Sequence, residues 1–122
     1  MVLKVPGFLL RRLYVQGSLR STDDGFALEL RNTLGSGYAR RLLPLVVDGR
    51  VVDLGACYFE VDGSVHDFPD VTPETPFSLA MNRTSILGVR GITLSDGPVT
   101  VRIGFEVQGL GELSFEITDE VV

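Results

Sequence analysis

In four segments of the chain, apolar side chains return at every second residue. Phe26, Leu28 and Leu30 alternate with Ala27, Glu29 and Arg31, and Val99, Val101, Ile103 and Phe105 alternate with Thr100, Arg102 and Glu106. Leu113, Phe115 and Ile117 alternate with Ser114, Glu116 and Thr118, and Leu13, Val15 and Leu19 alternate with Tyr14, Gln16, Ser18 and Arg20. Successive side chains on a strand point to opposite faces, so this period marks strands with one buried face. No segment carries a convincing helical period. Phe8 to Leu13 fits one helical turn and an N-terminal strand equally well.

Turn chemistry punctuates the strands. Asp48-Gly49 and Asp62-Gly63 each sit between apolar runs rich in β-branched residues. A two-residue type I′ turn needs positive φ at both central positions, which Asp-Gly tolerates best, so both pairs predict tight hairpins. A bulge near Gly55 is an alternative ending for the first. Ser21 to Gly25 suits a longer hairpin loop, and Ser95 to Pro98 a turn. Residues 69–76 hold three prolines, which cannot donate to a ladder, so this stretch predicts a loop or edge crossing. Phe77–Met81 and Ser85–Leu94 predict further short strands. In the second, Gly88 and Gly91 mark a bulge or a close backbone approach. About nine short strands without crossover helices imply an all-β fold, an antiparallel two-sheet β-sandwich of jelly-roll or immunoglobulin-like type. At 122 residues the chain has the length of one domain, expected to span 1–122.

Composition narrows the function classes. No stretch reaches the roughly 20 apolar residues of a membrane helix, and Arg11 and Arg12 interrupt the apolar N-terminus too early for a secretory signal. A cytoplasmic protein without membrane contact is expected. Net charge is −5, which disfavours nucleic-acid binding because phosphates need basic partners. The charge is uneven: residues 1–50 hold eight basic and four acidic side chains, residues 51–122 three and twelve. Arg outnumbers Lys ten to one, a bias that fits interface ion pairs.

Catalytic constellations are absent from the pattern. His66 is the single histidine, and its neighbour Asp67 falls on the opposite face of a strand, so the two are not expected to touch. Cys57, between Ala56 and Tyr58, reads as a small buried hydrophobe. Asp23-Asp24 and the Asp67, Asp70, Glu74 group lack calcium-loop spacing and read as solvated loop rims. Leu34-Gly-Ser-Gly37 lacks the Lys and spacing of a phosphate loop. These readings predict no catalytic residue, no cofactor and no metal. Tyr38, Arg40 and Arg41 stand out instead. Tyr and Arg are enriched at interface centres, and guanidinium pairs bidentately with carboxylate, so these three are the interface candidates.

The motif order also resembles a known family. A Gly17-Ser-Leu-Arg20 strand leads to Gly25-Phe-Ala-Leu-Glu-Leu-Arg31. A Gly/Tyr/Arg connection and a strand ending Val47-Asp48-Gly49 follow, and then Gly91-Ile-Thr-Leu94-Ser-Asp-Gly97-Pro-Val-Thr-Val101. This layout is similar to the small β subunit of C-glycoside deglycosidases and its relatives. Leu34-Gly-Ser-Gly-Tyr38-Ala-Arg40 stands where that family has Tyr-Tyr-Arg-Gly, and Val99 stands where it has His. The resemblance implies a β-sandwich that assembles with a larger TIM-barrel subunit carrying the metal and the catalytic groups. The expected function is a non-catalytic accessory subunit of a carbohydrate-active enzyme complex, or a homo-oligomer. Its partner would be a larger catalytic subunit or a second copy of itself. The alternative is a small carbohydrate- or ligand-binding module using Tyr14, Tyr38 and Tyr58.

Overall fold

The computed structural model describes residues 5–122; Met1 to Lys4, and with them the one lysine, lie outside the described residues. Two antiparallel sheets face each other and do not close into a barrel. The first contains β1 (Arg20–Ser21), β2 (Gly25–Arg31), β9 (Thr84–Arg90), β6 (Cys57–Val61) and β7 (Ser64–Asp67), in that spatial order. The second is centred on β10 (Pro98–Val107). On one side β10 pairs with β11 (Gly111–Glu120) along its whole length. On the other it pairs with β4 (Val46–Val47) and then β3 (Gly37–Leu42). β5 (Arg50–Val51) and β8 (Phe77–Leu79) lie outside those two. The all-β sandwich expected from the alternation is therefore present, divided among the described residues into eleven strands rather than about nine.

Cross-strand register explains the core. Phe26 lies opposite Val89, which lies opposite Cys57, while Leu28, Leu87 and Phe59 form the next row. In the facing sheet Val47, Val101 and Ile117 share a row, Ile103 opposes Phe115, and Phe105 opposes Leu113. Directly opposed residues share a face, so each row adds to one inner surface. All of these except Phe105 are buried, and Phe105 packs against them half-buried.

Both Asp-Gly pairs form the expected turns. Asp48 and Gly49 have φ of 49° and 81°, Asp62 and Gly63 of 52° and 81°, the left-handed values a type I′ turn requires. Asp48 adds a tie to the neighbouring strand: its Oδ1 accepts from the Thr100 amide at 2.9 Å. The alternative bulge near Gly55 is instead a 3-10 turn, Leu54–Ala56. The proline stretch crosses between the sheets, through a 3-10 turn at Phe68–Asp70 and a tight turn closed by Thr72 and Thr75.

The expected strand over Leu13 to Arg20 is largely absent. Gly7–Leu10 form one helical turn, α1, followed by a 3-10 turn at Arg11–Leu13. Leu10 and Leu13 are both buried. Their three-residue spacing suits a helical turn, whereas on a strand it would put them on opposite faces. Gly17 then turns the chain at φ 79°, leaving strand geometry only at Arg20–Ser21. This segment lies along the outer edge of β11: the Val122 amide donates to the Leu19 carbonyl at 2.9 Å. Tyr14 Oη and the Gly17 amide donate to Asp119 Oδ2 at 2.8 and 2.9 Å. A long edge strand is a template for unwanted pairing, and here the chain's own beginning shields part of it.

Candidate functional site

The three interface candidates lie on β3, and a bulge decides how they point. Val107 opposes Ala39 while the adjacent Glu106 opposes Arg41, so Arg40 is one residue more than the partner strand can match. A bulge of this kind re-aims side chains. Ala39 is buried and Leu42 lines the core although they are three residues apart; Tyr38, Arg40 and Arg41 all stay exposed. Tyr38 keeps 52% of its surface in solvent. Arg41 reaches Glu106 Oε2 at 3.5 Å; Arg41 is exposed, whereas Glu106 is half-buried and that oxygen has no hydrogen-bond partner among the described residues. Further along the same outer face, half-buried Leu43 lies across Gly104, where an added Cβ would come within 2.8 Å of Leu43 Cδ1. Half-buried Val46 and exposed Val51 continue the patch. Tyrosine, guanidinium and aliphatic groups thus share one solvent face of the second sheet.

The other outer face is built differently. Arg20, Ala27, Gly88, Tyr58 and Asp67 form one row across all five strands. The Tyr58 ring lies over Gly88, in space that an added Cβ would occupy. Arg90 covers the ring at 4.3 Å and reaches Asp67 at 3.1 Å. The close backbone approach expected at Gly88 is thus a ring over a strand with no bulge.

His66 and Asp67 part company as the strand geometry requires. Asp67 joins that outer row, whereas His66 stacks on Phe59 at 5.1 Å between ring centroids. Cys57 is wholly buried and its Sγ lies 3.6 Å from the Asp53 carbonyl; burial pushes its thiol pKa up. A thiol held in its neutral form is a poor nucleophile. Asp23, Asp24, Asp70 and Glu74 are exposed loop residues, and no three His, Cys, Asp or Glu side chains converge on a metal position among the described residues. Tyr14, Tyr38 and Tyr58 occupy three separate surfaces, so they form no joint platform. No helix among the described residues is long and apolar enough to cross a membrane.

Two features were not legible in the alternation. Asn32 ties together two of the connections that pass between the sheets. Its Nδ2 lies within hydrogen-bond distance of the carbonyls of Gly35, Leu79 and Ala80, at 2.7, 3.2 and 3.3 Å, and its Oδ1 accepts from the amides of Leu34 and Gly35. Beside it opens a cavity of about 380 Å³ between the sheets. Leu30, Phe59 and Leu87 wall it from the first sheet, Leu42, Phe105 and Leu113 from the second, and Leu9 and Leu10 of α1 from the side. Apolar residues in connections, such as Leu34 and Leu110, also line it. They were the available hint, since a loop leucine has no place in a strand pattern.

The resemblance to the deglycosidase small subunit does not hold. A family model described as hydroxymethylglutaryl-CoA reductase, N-terminal domain, matches residues 9–122. No curated protein matches the chain. The quoted motifs misled because they are turn and strand chemistry: Asp48-Gly49, Gly91 and Gly97 all serve positive-φ turns, which any antiparallel sandwich needs. With nearly its whole length matched, the chain belongs to the hydroxymethylglutaryl-CoA reductase N-terminal domain family.

Proposed function

We propose that this chain is a non-catalytic β-sandwich that works by protein–protein contact, either as an accessory unit to a larger enzyme or as an assembly of its own copies. One observation carries the proposal: the bulge at Arg40 turns Tyr38, Arg40 and Arg41 onto the same solvent face as Leu43, Val46 and Val51. Aromatic and guanidinium groups beside a desolvatable aliphatic patch have the composition of an interface centre. The family's description names a domain of a reductase, which suits an accessory unit. The carbohydrate-active partner had the deglycosidase resemblance as its sole support and is withdrawn with it.

Gel filtration with light scattering tests the proposal. The expected result is a mass above the 13.3 kDa of one chain, or co-elution with a partner enzyme from native extract. The charge reversal Arg40→Glu, which leaves the Arg41–Glu106 pair in place, is expected to shift either assembly toward the monomer without lowering the melting temperature. A strict monomer with no partner, or an assembly indifferent to the charge reversal, overturns it.

A further inference from the structure

The cavity between the sheets is apolar, yet Arg83 contributes to its lining. Arg83 is half-buried as a residue, and its guanidinium is held from one side: Nη2 donates to the Ser78 carbonyl, and the Phe77 ring lies 5.2 Å away. Among the described residues it forms no ion pair, unlike Arg20, Arg41 and Arg90. A guanidinium has five N–H donors, so most of its hydrogen-bonding capacity is uncommitted. Asn32, the neighbouring polar group, is already occupied by the carbonyls and amides it bridges. The site therefore offers one cationic donor group on a mainly hydrocarbon surface, with Ser36 and Ser85 as the other polar side chains beside Asn32.

Size agrees with this chemistry. An apolar cavity of roughly 150 Å³ binds benzene, and ligand sites start near 300 Å³. A space of about 380 Å³ accepts an apolar group about twice the size of benzene. We propose that this cavity binds an aliphatic carboxylate, with its hydrocarbon chain between the sheets and its carboxylate on Arg83. The site is independent of the protein-contact face, which lies on the outside of the second sheet.

Calorimetric titration with octanoate and with 1-octanol, on the full chain, tests the assignment. Octanoate is expected to bind about tenfold more tightly than the alcohol, the scale of one charge-assisted hydrogen bond. Arg83→Gln is expected to abolish that preference while leaving octanol binding in place. Ala80→Leu, which adds a side chain at the cavity lining, is expected to weaken both ligands. Equal affinity for the two, a preference that survives Arg83→Gln, or no binding to the folded wild type overturns the assignment. The wild-type comparison needs no variant, so it stands even if a substitution lowers stability. None of these results bears on the assembly mass by which the protein-contact proposal is judged.

Discussion

The packing of Tyr58 over Gly88 predicts a substitution whose sign depends on a second residue. Gly88 sits inside a strand, where replacing Gly by Ala ordinarily gains roughly 0.5–1 kcal/mol. Here the new Cβ would overlap Cζ, Oη and Cε1 of the Tyr58 ring, so the ring has to leave. Leaving gives up the contact with Arg90 at 4.3 Å, about 0.5–1 kcal/mol at a half-exposed site. It also uncovers the small-residue row beneath, and overpacking costs about 1–3 kcal/mol. After the backbone gain is subtracted, Gly88→Ala should destabilise by about 2 kcal/mol. In a Tyr58→Ala background the obstacle is gone, and the same change should stabilise by roughly 0.5 kcal/mol. The chain has no Trp, so urea unfolding is best followed by far-UV circular dichroism. The single variant should lower the midpoint by about 1 M, given typical urea slopes. Gly25→Ala is a control, because its obstacle is the Val89 backbone carbonyl, which cannot rotate away; it should cost more and find no rescue. An equal loss from Gly88→Ala in both backgrounds would refute the packing argument.

Two further predictions concern titratable groups. Asp119 has its pKa lowered by the Gly17 amide, then by Tyr14 Oη and the Glu120 amide. A depressed folded pKa means stability that is fully present above the unfolded value near 3.9 and is lost as pH falls through the folded one. Asp119→Asn should therefore lower the urea midpoint at pH 7 and flatten its decline between pH 4 and pH 2; an unchanged acid profile would count against the contact. Cys57 should react with a disulfide reagent such as DTNB only as fast as the fold opens, with urea accelerating the reaction steeply. A rapid native-state reaction would show that the thiol is not buried.

Much of the architecture could be read from residue pattern because single-face burial leaves a period-two trace. The ten-residue strands β10 and β11 and both Asp-Gly hairpins declared themselves in this way. Residues 13–19 misled for a physical reason: Leu13, Val15 and Leu19 alternate, but Leu10 and Leu13 are buried from helical turns and Gly17 diverts the chain. The candidates Tyr38, Arg40 and Arg41 were legible as residue types. Their common exposure was not, because it follows from a register shift opposite Glu106 and Val107 that only the partner strand defines. The cavity left still less trace. Its walls come from both sheets and from α1, and empty volume between them has no residue of its own.

The contact between the beginning and the end of the fold also orders events in time. Tyr14 and Gly17 bond to Asp119, more than a hundred residues away, and Leu19 pairs with Val122. On a ribosome, α1 emerges about a hundred residues before the strand it packs against. Until β11 is synthesised, β10 lacks one neighbour and Leu10 and Leu13 have no strand to cover. Loop closure over such separations slows folding. A nascent chain halted before Gly111 is therefore expected to expose an apolar seam, a natural point of engagement for chaperones.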